Sequence, residues 1–214
     1  MSISKTLLAT SIAAMLGIAS FSANAADEPG KLTMRLRAIH IVPADKSDAA
    51  LGGALPKDGV DVSNKWAPDI DFEYAVMPHV GVELLLTIPQ RHTVVAHTTG
   101  GDVNLGTVQH LPPTLTAKYY ILTNAVRPYV GAGLNFTWFT EDDLALGATK
   151  LTIKRTSLGL ALQAGVDVSL TDRMSLSFDA KKADISTNVY AGGTKVTTVS
   201  VDPYIYGVGV GYRF

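Results

Sequence analysis

Eight stretches of this chain alternate strictly between bulky apolar residues and small or polar ones. A period of two fits strands and little else, because successive side chains of a strand point to opposite faces. In the last stretch, VDPYIYGVGVGYRF, Tyr204, Tyr206, Val208, Val210, Tyr212 and Phe214 share one face, while Gly207, Gly209 and Gly211 share the other. The same pattern runs through residues 32–38, 69–76, 80–88, 114–121, 130–138, 157–168 and 174–181. No helical periodicity of comparable strength occurs beyond the N-terminal segment.

The connections alternate as well. Short gaps at residues 77–79, 123–126 and 170–173 take turns with long ones near 43–65, 91–110, 140–149 and 187–198. The long gaps read as polar loops rich in Gly, Asp, Asn and Thr, with one helical turn expected over Asp142–Leu146. An even strand count, with short turns on one side and long loops on the other, is the signature of an outer-membrane barrel. The expected fold is therefore all-β: an eight-stranded antiparallel transmembrane β-barrel with short periplasmic turns and four long extracellular loops. A secreted β-sandwich alternates too, but it asks neither for alternating loop lengths nor for two aromatic belts. Here Tyr74, Tyr119, Tyr212 and Phe214 fall at one end of the apolar faces and Phe136 and Trp138 at the other.

Composition narrows the reading. Hydrophobic residues make up 47% of the chain, yet the one long apolar run is residues 7–21, preceded by Lys5 and followed by Ala23-Asn24-Ala25. That is the pattern of a cleaved secretory signal peptide, so residues 1–25 are expected to be removed and residues 26–214 to form the barrel. The chain has no cysteine, and 18 basic against 19 acidic residues give no charge that would call for nucleic acid.

Several segments resemble the outer membrane protein W (OmpW) family: HLPPTLTAKYY (110–120), RPYVGAGLNFTWF (127–139), QAGVDV (163–168), the terminal VDPYIYGVGVGYRF, and the RLRAIHIVP and VGVELLL stretches. The resemblance implies a small monomeric barrel in the Gram-negative outer membrane and a role in moving small hydrophobic molecules. It also implies that Tyr212 and Phe214 serve as the C-terminal signal read by the barrel insertion machinery. The partners so implied are outer-membrane lipid, that machinery and a small hydrophobic ligand.

An eight-stranded barrel has an interior just filled by side chains, or holding one small ligand. The alternation turns Arg35, Arg37, Lys118 and Lys181 inward with Asp69, Asp71, Glu73, Glu83, Asp167 and Asp179. Charges in such a place survive when paired, so a cross-strand polar network is expected as a plug toward the periplasmic end. Nearer the loops, Ile39, Thr114, Thr116, Asn135, Thr137, Ser157 and Ala161 leave a less charged lumen that could hold an apolar ligand. Such a ligand could not cross the plug and would leave sideways, near Pro43, Pro89, Pro112 and Pro113, each of which removes a ladder donor.

Enzymatic chemistry finds little support. His92 and His97 with Asp102 lack a third spaced ligand and read as solvated loop residues. Ser157 and His110 near the rim carry no nucleophile motif. No catalytic, cofactor or metal site is expected. Two functions remain: passive uptake of small hydrophobic molecules, or a structural and surface-interaction barrel with a filled lumen, serving envelope integrity, adhesion, or phage or bacteriocin docking.

Overall fold

The alternating segments do form strands, and they close on themselves. The computed structural model describes residues 29–214; the expected signal peptide, residues 1–25, lies outside them. In chain order the strands are β1 (Leu32–Val42), β2 (Lys46–Ser47), β3 (Val60–Val62), β4 (Lys65–Met77), β5 (Val80–Thr87), β6 (Gln90–Thr98), β7 (Gly101–Leu111) and β8 (Thr114–Tyr120). They continue with β9 (Val126–Leu146), β10 (Thr149–Ile153), β11 (Thr156–Ser169), β12 (Met174–Ala183), β13 (Ser186–Ala191), β14 (Thr194–Ser200) and β15 (Tyr204–Arg213).

Eight of them make a closed antiparallel barrel in the order β1–β4–β5–β8–β9–β11–β12–β15. Closure comes from the C-terminal strand: β15 pairs with β12 on one edge and with β1 on the other, with Met34 opposite Tyr212 and Ile39 opposite Gly207. No barrel edge is left open to another chain. On the inner face a β-carbon at Gly209 would overlap the Leu36 carbonyl oxygen and the Arg37 side chain. Glycine there lets the closing strand approach its neighbour.

The outward parity is apolar and exposed, Leu36, Leu84, Leu134, Leu158 and Val210 among it, whereas charged residues such as Arg35, Asp71 and Glu83 are buried. In water this arrangement would be inside out. It fits a hydrocarbon solvent, in which a closed barrel satisfies every strand and shows lipid an apolar band. The aromatic residues Tyr74, Tyr119, Tyr212 and Phe214 are exposed at the short-turn end, Phe136 and Trp138 at the other.

The long connections depart from the expectation of polar loops. Three of them are β-hairpins that continue the barrel wall: β6–β7, upper β9–β10, and β13–β14. Asp142–Leu146 is not a helical turn but the end of β9. The hairpins join side by side as β3–β6–β7–β9–β10–β13–β14–β2. The β1–β4 connection, which carries both β2 and β3, spans the remaining gap. There Val62 N–H donates to Asp45 Oδ2 at 2.7 Å and Asp58 N–H to the Ser47 carbonyl at 2.8 Å. The result is a collar standing on the barrel.

Inside the collar the polarity reverses. Val60, Val62, Val94, Ala96, Leu144, Leu151, Ile153, Val189 and Val199 form a buried apolar cluster, and Arg91, Glu141 and Lys150 face outward. Strand β9 contains the switch. Up to Trp138 its apolar residues face out; at Thr140 a register shift against β7 interrupts the alternation, and Leu144 then faces in. A bulge of this kind places one extra residue and re-aims the side chains that follow.

Candidate functional site: a sealed plug and an apolar cavity

Within the barrel, β1 and β4 supply opposed charges in register: Arg35 pairs across the ladder with Asp71, and Arg37 with Asp69. Arg35 reaches Asp71 at 3.0 Å, Glu73 at 2.8 Å and, across the lumen, Asp167 at 2.7 Å. Arg37 holds Asp69 at 3.0 Å and Asp71 at 3.2 Å, with Asp179 at 3.8 Å. Lys118 lies 2.8 Å from Glu73 and 3.2 Å from Glu83, and Lys181 lies 2.9 Å from the other Glu83 oxygen. One connected network thus joins strands from all around the ring.

Three members of this network are not among the expected charges: Tyr120, Tyr129 and Arg127. The Tyr120 hydroxyl donates to Glu73 at 2.8 Å, and the Tyr129 hydroxyl to Asp179 at 2.9 Å. Arg127 stands 3.5 Å from Asp167. Lys118 Nζ sits 3.7 Å from the centre of the Tyr129 ring, a cation–π contact. All three share the inward parity of Lys118 and Gly131, the one signal by which the sequence marks them. With Arg127 the buried groups are five cations and six carboxylates, which comes close to neutrality and offsets part of the desolvation cost.

The plug leaves no room. Arg35, Asp71, Glu83 and Asp167 have zero solvent exposure. The layer above it, expected to be the pocket, is also packed: Thr137 has no exposure, and Asn135 Nδ2 donates to Thr114 Oγ1 at 2.8 Å.

The cavity lies one storey higher, inside the collar. Its volume is about 220 Å³, and its walls are the inward valines, leucines and isoleucines of the hairpins. Ile41, Pro43, Phe139, His92 and His110 line it as well. His92 is therefore not a solvated loop residue: it is 2% exposed and stacks on His110 with ring centres 5.1 Å apart. Cross-strand register explains this, since β6 and β7 put both imidazoles on the inner face. His97 does remain on the surface, 2.7 Å from Asp102, which raises its pKa by hydrogen bonding and charge. Ser157 Oγ accepts the Ser186 N–H at 3.0 Å, and no hydrogen bond joins it to His110 among the described residues.

Beside these histidines the barrel wall is interrupted. The β5–β8 ladder stops at Leu85 opposite Thr114, and the β6–β7 ladder resumes at Gln90 opposite His110. Between them lie Pro89, Pro112 and Pro113, which have no N–H to donate.

At the short-turn end, Tyr212 and Phe214 pack edge to face with ring centres 5.0 Å apart, and the Phe214 N–H donates to the Leu32 carbonyl at 2.9 Å.

A model of the OmpW family matches residues 28–214. The chain is 32% identical to outer membrane protein W of Escherichia coli strain K12 over 219 residues, 98% of each chain. It is 28% identical over 167 residues to the dibenzothiophene metabolism operon protein PahQ of Pseudomonas aeruginosa, covering 76% of this chain and 78% of that one. The crystal structure of the outer membrane protein OprG from Pseudomonas aeruginosa superimposes with a TM-score of 0.79 at 28% identity, over 90% of this chain and 99% of that chain.

Proposed function

Since the chain belongs to the OmpW family and is a Gram-negative outer-membrane β-barrel, we propose that it admits small hydrophobic molecules passively across the outer membrane. The observation that carries this reading is the apolar cavity of about 220 Å³ held above a sealed, charged plug. A dry apolar cavity of about 150 Å³ is enough to bind benzene, so one or two fused rings, or a short alkyl chain, suit this one. The collar strips water from such a molecule, and each buried methylene contributes about 0.8 kcal/mol. The plug offers it no way down. The proline-lined interruption above Leu85 and Thr114 leaves the wall there without ladder hydrogen bonds, which favours sideways release into lipid. That PahQ takes its name from a dibenzothiophene operon supports a fused-ring aromatic compound as substrate class.

The packed lower lumen taken alone would suit a structural or surface-interaction barrel. Such a role gives no reason for a hydrophobic chamber walled by three hairpins and the β1–β4 connection. The test is uptake of radiolabelled naphthalene by cells lacking the gene and by the complemented strain. Faster entry in the complemented strain is expected; equal entry contradicts the proposal.

A further inference from the structure

The polar residues in the cavity lining are His92, His110 and four threonines, of which Thr98, Thr187 and Thr197 already donate to backbone carbonyls. His92 Nδ1 lies 2.6 Å from the Ser63 carbonyl oxygen, which can only accept, so Nδ1 carries the proton. Nε2, across the ring, is then a bare lone pair. It is buried and has no hydrogen-bond partner among the described residues. The neighbouring His110 is 9% exposed, its ring stacks on His92 and lies 6.0 Å from the Phe139 ring centre, and its side chain makes no hydrogen bond among the described residues. Buried polar atoms in native proteins are nearly always paired, and an orphan calls for a reason.

We propose that the His92–His110 pair is a polar anchor within the cavity, selecting apolar molecules that carry one uncharged hydroxyl group, such as phenols and fatty alcohols. The hydroxyl donates to His92 Nε2 while the hydrocarbon fills the collar. Both imidazoles are neutral at pH 7: burial lowers the pKa of His92, and burial with the adjacent His92 lowers that of His110 to about 3. A carboxylate would find a lone pair rather than a donor at Nε2, and among the described residues no lysine or arginine lines the cavity, while Arg35, Lys118 and Lys181 of the plug hold carboxylates. Burying an unpaired anion is far costlier than burying a hydroxyl. The anchor also stands next to the wall interruption, where Gln90 opposes His110. A hydroxylated molecule would thus pause with its polar end at the exit.

This inference rests on the cavity being a ligand site, and the experiment separates the two. Binding of 1-naphthol, 1-methylnaphthalene and 1-naphthoate is measured at pH 7 to the full barrel in lipid nanodiscs, with empty nanodiscs as the partition reference. One neutral hydrogen bond corresponds to a preference of about tenfold for 1-naphthol over 1-methylnaphthalene. His92→Phe is expected to erase that preference, bringing the ratio of the two affinities to about one. Equal binding of the two neutral probes to the unmodified protein, a preference that survives His92→Phe, or 1-naphthoate binding as tightly as 1-naphthol would overturn the anchor and leave the cavity reading intact. Absence of specific binding by either neutral probe would overturn both. A second measurement needs no variant: the ¹⁵N resonance of His92 Nε2 should move on adding 1-naphthol and hold still with 1-methylnaphthalene. A resonance unmoved by bound 1-naphthol overturns the anchor.

Discussion

The barrel and its collar are built on the same alternation with opposite sense. Below Trp138, leucines and valines face out and charges face in; above Glu141, charges face out and valines and leucines face in. A strand fixes only that neighbours point to opposite faces; the solvent decides which face is greasy. Where the surroundings are hydrocarbon, the polar groups must satisfy one another inside, and the lumen becomes a plug. Where the surroundings are water, the apolar groups collect inside, and the lumen becomes a chamber. The change happens within one continuous strand, β9, so the membrane boundary is written into it at the Thr140 bulge.

The largest effect expected from breaking this contrast is in the plug. Glu83→Ala removes the carboxylate 2.9 Å from Lys181 and 3.2 Å from Lys118. Leaving a buried charge without its partner costs about 3–5 kcal/mol, to be read as a lower urea midpoint for unfolding from lipid vesicles. Pairing it with Lys181→Met should restore part of that loss.

A smaller effect compares the two outer faces directly. Leu162 and Thr93 are both exposed on outward parity, one in the middle of the barrel wall and one in the collar. Leu162→Lys puts a charge toward lipid and is expected to cost about 2–4 kcal/mol near the bilayer midplane. Thr93→Lys puts it in water and should stay within about 0.5 kcal/mol. Similar costs at the two sites, in the same unfolding assay, would erase the proposed boundary.

Acid offers a milder probe of the collar. His110 titrates at about 3 in the folded collar against 6.5 when exposed, because burial and the nearby His92 disfavour its charge. Between those values the unfolded state binds more protons, so the stability from this group is whole above about pH 6.5 and falls as the pH drops toward 3. Amide exchange of β6 and β7, corrected for its intrinsic pH dependence, should therefore show lower protection at pH 4 than at pH 7. His110→Phe should flatten the difference.

Much of the barrel is legible in the sequence, because a period of two survives whatever the solvent. The inward charges follow from parity alone. Their partners do not: Arg35 and Asp167 meet across the lumen 132 residues apart, and only the closed ring brings them together. Tyr120 and Tyr129 share the parity but carry no formal charge to mark them as network members. The collar is harder to read for two physical reasons. The register shift at Gln109/His110 breaks the alternation where β9 leaves the barrel, and further shifts at Val94/Val95 and Val189/Tyr190 lie within the hairpins. Its polar outer face also resembles loop composition, so Val94, Leu144, Ile153 and Val199 look like scattered apolar residues until the hairpins stand together.

The central claim is that the chamber in the collar, and not the lumen below it, receives the hydrophobic molecule. Intermolecular NOEs from 1-methylnaphthalene to methyl-labelled protein in lipid nanodiscs test it most directly. The structure predicts contacts to the methyls of Val62, Val94, Leu144 and Val199 and none to Thr116, Thr137 or Ala161 in the packed barrel. Contacts to those lower residues, with the collar methyls silent, would contradict it.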